Sequence, residues 1–265
     1  MSRSIAPPLA LVLSLAAACT TLGPTPATTG LSAAPAGRPE VEVQVGLVPG
    51  HYLSSAVAKE ANGAAILQAG LALEPDRLIK VPGLVLGARV FGQSGDTPVE
   101  PVIGYRRKVG QGRVALGGFA YGTAASATRD DASYEATRFG AELAADVDVL
   151  GPSRWAELHA FGGVAVTRIE VDGDYCVDAM GQYGVTCPED GTGIRRSGHA
   201  SGVYPAGHVG VAGAFFRHRP GVLHGVRLAA LAALGTMPRV IDGEQTSAEA
   251  YFSIGLLGSI AIGGE

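Results

Sequence analysis

The chain has 265 residues, a formal net charge of −4, 39 glycines and only 17% charged residues. The negative balance argues against nucleic acid as a partner, since that binding needs clustered basic charge. Glycine at this density argues against long helices, and beyond the first twenty residues no apolar run reaches the roughly 20 residues of a membrane-spanning helix.

At the N-terminus Arg3 precedes the apolar run Leu9 to Ala17, which has the length of a signal peptide and is too short to span a bilayer as a helix. The run closes on Ala16-Ala17-Ala18-Cys19. Small residues before a cysteine resemble the bacterial lipobox, and the resemblance implies that residues 1–18 are removed as a lipoprotein signal peptide and that Cys19 is acylated. Losing Arg3 with them gives the remaining chain a formal charge of −5. Thr20 to Pro39 is rich in Thr, Ala, Pro and Gly without periodicity, so residues 19–39 read as a flexible tether.

From residue 40 the period becomes two, which predicts strands. Val41, Val43, Val45 and Leu47 alternate with Glu42, Gln44 and Gly46; Leu67, Ala69, Leu71 and Leu73 alternate with Gln68 and Gly70. Leu84, Leu86, Ala88 and Val90 alternate with Gly87 and Arg89. Val99 to Val109 is less regular, because Arg106, Arg107 and Lys108 break the pattern at its end, and Arg113 to Thr123 is apolar on both faces. Phe139, Ala141, Leu143, Ala145, Val147 and Val149 then oppose Arg138, Gly140, Glu142, Asp146 and Asp148. Leu158, Val164 and Val166 oppose Glu157 and His159; Val209, Val211 and Phe215 oppose His208; Val226 and Leu228 oppose Arg227; and Phe252, Ile254, Leu256, Ile260 and Ile262 oppose Glu249 and Tyr251.

Short and long connections alternate. Tight turns are expected at Gly110-Gln111, Gly151-Pro152-Ser153 and His218-Arg219-Pro220, and longer polar loops at 49–63, 93–98, 124–132, 172–200 and 236–246. Ten-residue alternating segments with this loop pattern resemble a small bacterial outer-membrane β-barrel. The resemblance is architectural and covers about residues 40–265. It implies an all-β, antiparallel up-and-down barrel of about ten strands, with eight as the alternative, and both chain ends on the periplasmic side. Aromatic girdles are expected from Tyr105, Trp155, Phe215 and Phe216 near the periplasmic turns, and from Phe91, Tyr121, Tyr134, Tyr204, Tyr251 and Phe252 near the outer loops.

In such a barrel the second face points inward. Glu42, Arg89, Arg138, Glu142, Asp146, Glu157, His159, His208, Arg227 and Glu249 are then expected to form a polar network, because unpaired charge in a low-dielectric interior is costly. Barrels of about this size have just enough interior for side chains. Cys176 and Cys187 are expected to form one disulfide in the long acidic loop. That loop matches no recognised calcium pattern, and no metal site or cofactor is expected. Ser197 and His199 lie close in sequence, but no G-x-S-x-G or H-E-x-x-H occurs, and no enzyme is expected. The expected role is a non-enzymatic, structural or envelope-complex barrel in the outer membrane, anchored by lipid on the periplasmic side. Its partners would be membrane lipid and other envelope proteins. A small solute pore and a lipid-tethered soluble β-barrel or sandwich are the alternatives.

Overall fold

The computed structural model describes residues 40–50, 64–73, 81–91, 99–110, 113–129, 132–150, 156–177, 183–184, 194–215, 223–241 and 244–263. These hold eleven strands: β1 (Glu40–Gly50), β2 (Ala64–Leu73), β3 (Leu84–Phe91), β4 (Val99–Val109), β5 (Val114–Arg129), β6 (Ala132–Asp148), β7 (Ala156–Val177), β8 (Tyr183–Gly184), β9 (Ile194–Phe215), β10 (Leu223–Ile241) and β11 (Glu244–Gly263). Every pairing is antiparallel. β1 pairs with both β2 and β11, and β6 pairs with both β5 and β7, so the ladder returns on itself. Ten strands form one closed ring, and the two-residue β8 is a short ribbon on the end of β7. Closure gives every ring strand a paired neighbour on both sides over part of its length, the condition for placing sheet in lipid. Glu40 faces Gly263 across β1 and β11, so both ends of the barrel sequence meet at one rim.

The ring is apolar outside and polar inside. On β6, Phe139 and Leu143 are 67% and 68% exposed, whereas Arg138, Glu142 and Asp146 are buried. On β11 the outward row from Ile262 to Phe252 includes Ile260, Leu256 and Ile254. The ten residue steps between them at about 3.3 Å each, tilted by about 40°, give a belt about 25 Å high. That is the height of a bilayer's apolar band. A soluble barrel or sandwich would bury this face against a second layer, and the described strands form a single sheet with the face turned out. The architecture is that of a membrane-spanning antiparallel β-barrel.

The polarity then inverts within the same strands. Outward on β7, Val164 and Val166 are followed by exposed Arg168, Glu170 and Asp172; inward, His159 and Thr167 are followed by buried Ile169 and Val171. Outward on β9, Val209 and Val203 give way to His199 and Ser197, while Ala200 is fully buried on the inner side. The inversion marks the upper edge of the apolar belt. Above it the sheet has the polarity of a protein in water.

Three expectations change. The segments expected as loops at 124–132 and 236–246 are largely strand, and so are both ends of 172–200, since β5, β6, β7, β9, β10 and β11 all extend into them; residues 178–182 and 185–193 lie outside the described residues. Two-sided polar composition hides the period there, yet backbone pairing between neighbours continues past the belt. Arg106 does not break the pattern of β4; it points inward with Glu100 and Val102, while Arg107 and Lys108 are exposed. Tyr121 and Tyr204 belong to no outer girdle, because both are buried on the inner face. Tyr105, Phe215 and Phe252 are exposed on the outer face as expected. Trp155 and Phe216 lie outside the described residues, as do the side chains of Phe91, Tyr134 and Tyr251.

Candidate functional site

The site is the lumen, where the inward positions of seven strands converge in two layers. In the upper layer Glu100 on β4 holds two arginines. Arg89 on β3 donates through NH2 to Oε2, and Arg138 on β6 donates through Nε to Oε1 at 2.6 Å. Arg89 and Glu100 are both 0% exposed. Tyr121 on β5 lies between them in the ring order, and the two guanidiniums sit 5.4 and 5.8 Å from its ring centroid. Cation–π contact of this kind suits buried arginines. The Tyr121 hydroxyl lies 2.6 Å from Thr167 Oγ1 on β7, which carries the layer across five consecutive strands.

The ring of Tyr121 needs room on β6. Its register partner there is Gly140, where an added Cβ would lie 2.5 Å from Tyr121 Cζ. A glycine opposite an aromatic lets the ring lie flat on the neighbouring backbone, a recurring device in barrels.

The lower layer centres on Asp146 near the end of β6. His159 Nδ1 lies 2.7 Å from Asp146 Oδ1, and His159 Nε2 lies 3.1 Å from Glu157 Oε2. Arg227 on β10 donates to Asp146 Oδ2 at 3.0 Å. β7 and β9 intervene between β6 and β10 in the ring, so this ion pair crosses the lumen. The Arg227 guanidinium also lies 5.2 Å from the Phe161 ring centroid.

Between the layers, His208 Nδ1 on β9 approaches Glu142 Oε1 on β6 to 3.6 Å, and both side chains are 0% exposed. Gly163 on the intervening β7 permits this, since a Cβ there would lie 2.7 Å from both Glu142 Oε1 and His208 Cε1. Apolar side chains fill the remaining space in two clusters, Val85, Val102, Phe119, Tyr121 and Ala144, and Phe161, Ala212, Leu231, Ala233 and Leu257.

Of the expected network, Arg89, Arg138, Glu142, Asp146, Glu157, His159, His208 and Arg227 all face the lumen. The side chains of Glu42 and Glu249 lie outside the described residues, although both backbones are in strands. Glu100, Arg106, Tyr121 and Thr167 complete the lining and were not among the expected residues. Among the described lumen residues four arginines, Arg89, Arg106, Arg138 and Arg227, are matched in number by four acids, Glu100, Glu142, Asp146 and Glu157. Balance of this kind is what a desolvated interior requires.

His199 lies above the belt on the outer face, its Nδ1 2.6 Å from Asp172 Oδ1, with the two side chains 52% and 63% exposed. It is a surface pair between register partners on β7 and β9. Cys19, Cys187 and the Cys176 side chain lie outside the described residues.

Two solved structures are similar in fold. One is Neisserial surface protein A (NspA), at TM-score 0.32 and 9% identity, with 85% of this chain and 95% of that chain covered. The other is the translocator domain of autotransporter NalP from Neisseria meningitidis, at TM-score 0.30 and 12% identity, with 86% and 88% covered. No protein-family model matches the chain, and no curated protein matches it.

Proposed function

We propose that this chain is an integral barrel of a bacterial outer membrane with a closed interior, and that its role is structural, alone or within an envelope complex, and non-enzymatic. The supporting observation is a lipid-height apolar belt around a lumen in which Arg89, Glu100, Glu142 and His208 are excluded from solvent. A channel needs a continuous wetted path. A lumen packed with paired charges offers a rigid core instead.

The N-terminal part of the proposal rests on sequence. Residues 1–18 are removed, Cys19 carries lipid on the periplasmic side, residues 19–39 tether the barrel, and Cys176 and Cys187 close the acidic loop as a disulfide. Palmitate labelling should depend on Cys19; labelling that persists in Cys19→Ser removes the anchor.

The deciding experiment is migration on a denaturing gel with and without heating after membrane extraction. A folded barrel shifts on heating, and a protein that needs no detergent when made without residues 1–19 overturns the membrane reading. Folded protein in planar bilayers should carry no steady ion current. Reproducible unitary conductance overturns the closed interior and supports the solute-pore alternative.

A further inference from the structure

In sequence, the connections at the two ends of the barrel carry opposite formal charge. Four connections join strand ends at the rim where β1 and β11 meet: residues 74–83, 110–113, 149–155 and 216–222. In sequence Glu74 and Asp76 balance Arg77 and Lys80, and Arg113, Arg154, Arg217 and Arg219 leave a formal charge of +4. The five connections at the other end, 51–63, 92–98, 130–131, 178–193 and 242–243, carry −7, with Lys59 and Glu60 cancelling and seven further acids without a base. The whole chain is at −4, so the basic end runs against the composition.

The described part of the basic rim is the β4–β5 hairpin. Arg107 and Lys108 close β4 and Arg113 precedes β5, and all three are exposed. Gly110, at φ +61°, lets the chain reverse tightly between them. Immediately toward the bilayer, Tyr105, Ile103 and Leu116 are about half exposed on the outer face. Cations therefore follow an interfacial tyrosine at the lower edge of the belt. Among the described residues the acid beside Arg113 is Asp148 on β6, whose backbone N–H donates to Arg113 O at 2.8 Å; Asp148 itself is half-buried. Basic side chains at a membrane surface attract anionic headgroups by about 1 kcal/mol each, roughly five-fold in occupancy.

We propose that Arg107, Lys108 and Arg113 form a binding surface for anionic phospholipid headgroups in the leaflet at the rim where the barrel's ends meet. The site rests on the membrane reading above and adds a ligand to it. Phosphodiesters accept hydrogen bonds from the guanidiniums of Arg107 and Arg113, while the acyl chains lie along Ile103 and Leu116. The acidic end repels the same lipids, so the two rims also favour one orientation.

The test is native mass spectrometry of the full chain released from nanodiscs of mixed phosphatidylglycerol and phosphatidylcholine, with heat-modifiable migration checked first. Absence of that migration fails the membrane reading itself. Folded wild type should retain phosphatidylglycerol several-fold above its share in the mixture, and less as salt rises. Folded R107Q/K108Q/R113Q should lose that enrichment, Arg113→Gln alone should lose part of it, and Asp130→Asn with Asp131→Asn at the acidic end should keep it. No enrichment in folded wild type, or unchanged enrichment in the folded triple variant, overturns the site.

Discussion

At the scale of single residues, Glu100 matters most to the lumen. One carboxylate serves two guanidiniums from strands on either side, and all three groups are out of water. Glu100→Gln keeps the shape and removes the charge both arginines face. Breaking one side of a buried ion network costs about 3–5 kcal/mol, so the urea midpoint of the folded barrel should fall clearly. Arg138→Met alone should cost less in the Glu100→Gln background than in wild type, because the partners act as a unit. Gly140→Val tests the other kind of constraint. Its Cβ would enter the Tyr121 ring, and overpacking of this sort costs about 1–3 kcal/mol. Combining it with Tyr121→Ala should restore part of the loss in the same titration.

At the scale of the strand, alternation carries the energetics. Each strand exposes one face to lipid, and the cost of a charge there depends on depth. Leu143 is near the middle of the outward row of β6, and exposed Val149 lies just past its lower end. Leu143→Arg should destabilise the barrel by about 2–4 kcal/mol and Val149→Arg by about 0–1 kcal/mol, measured by reversible unfolding from vesicles. Equal costs at the two positions would contradict the belt. The β4 and β5 strands show why alternation was only partly legible. Val102 shares the inner face with Glu100 and Arg106, and Phe119 and Tyr121 share it with Ala115, so neither strand sorts cleanly into polar and apolar faces. Arg107 and Lys108 next to Arg106 further concealed its inward direction. Polar and small residues after Thr123 hide the continuation of β5 to Arg129, which puts Tyr121 at mid-height and not at an outer girdle.

At the scale of the whole molecule, the barrel has two ends of different character. The tall hairpins of β6, β7 and β9 rise beyond the belt with polar residues outside and Ile169, Val171 and Ala200 within. This apolar inner side begins beside Arg138, the register partner of Ile169, and continues upward. Single cysteines report the topology. In a background with Cys176 and Cys187 replaced by Ser, Asp172→Cys should react with a membrane-impermeant maleimide on intact cells. Lys108→Cys should react only after the outer membrane is permeabilised. The reverse pattern would invert the barrel and move the basic rim to the outer surface.

The amino-acid sequence by itself determined the strand period and the inward direction of most of the charged residues described in the lumen, and it left the ring at about ten strands with eight as the alternative. Those features are local: a period of two with charge on one face is written in consecutive residues. It could not determine which charges meet. Asp146 and Arg227 are 81 residues apart and come within 3.0 Å only because the ring closes and brings β10 across from β6. Nor could it locate the top of the membrane, since the inversion of polarity on β7 and β9 becomes visible only when inward and outward are known. Closure is a property of the whole sheet, and it alone brings the inward faces of distant strands together in one lumen.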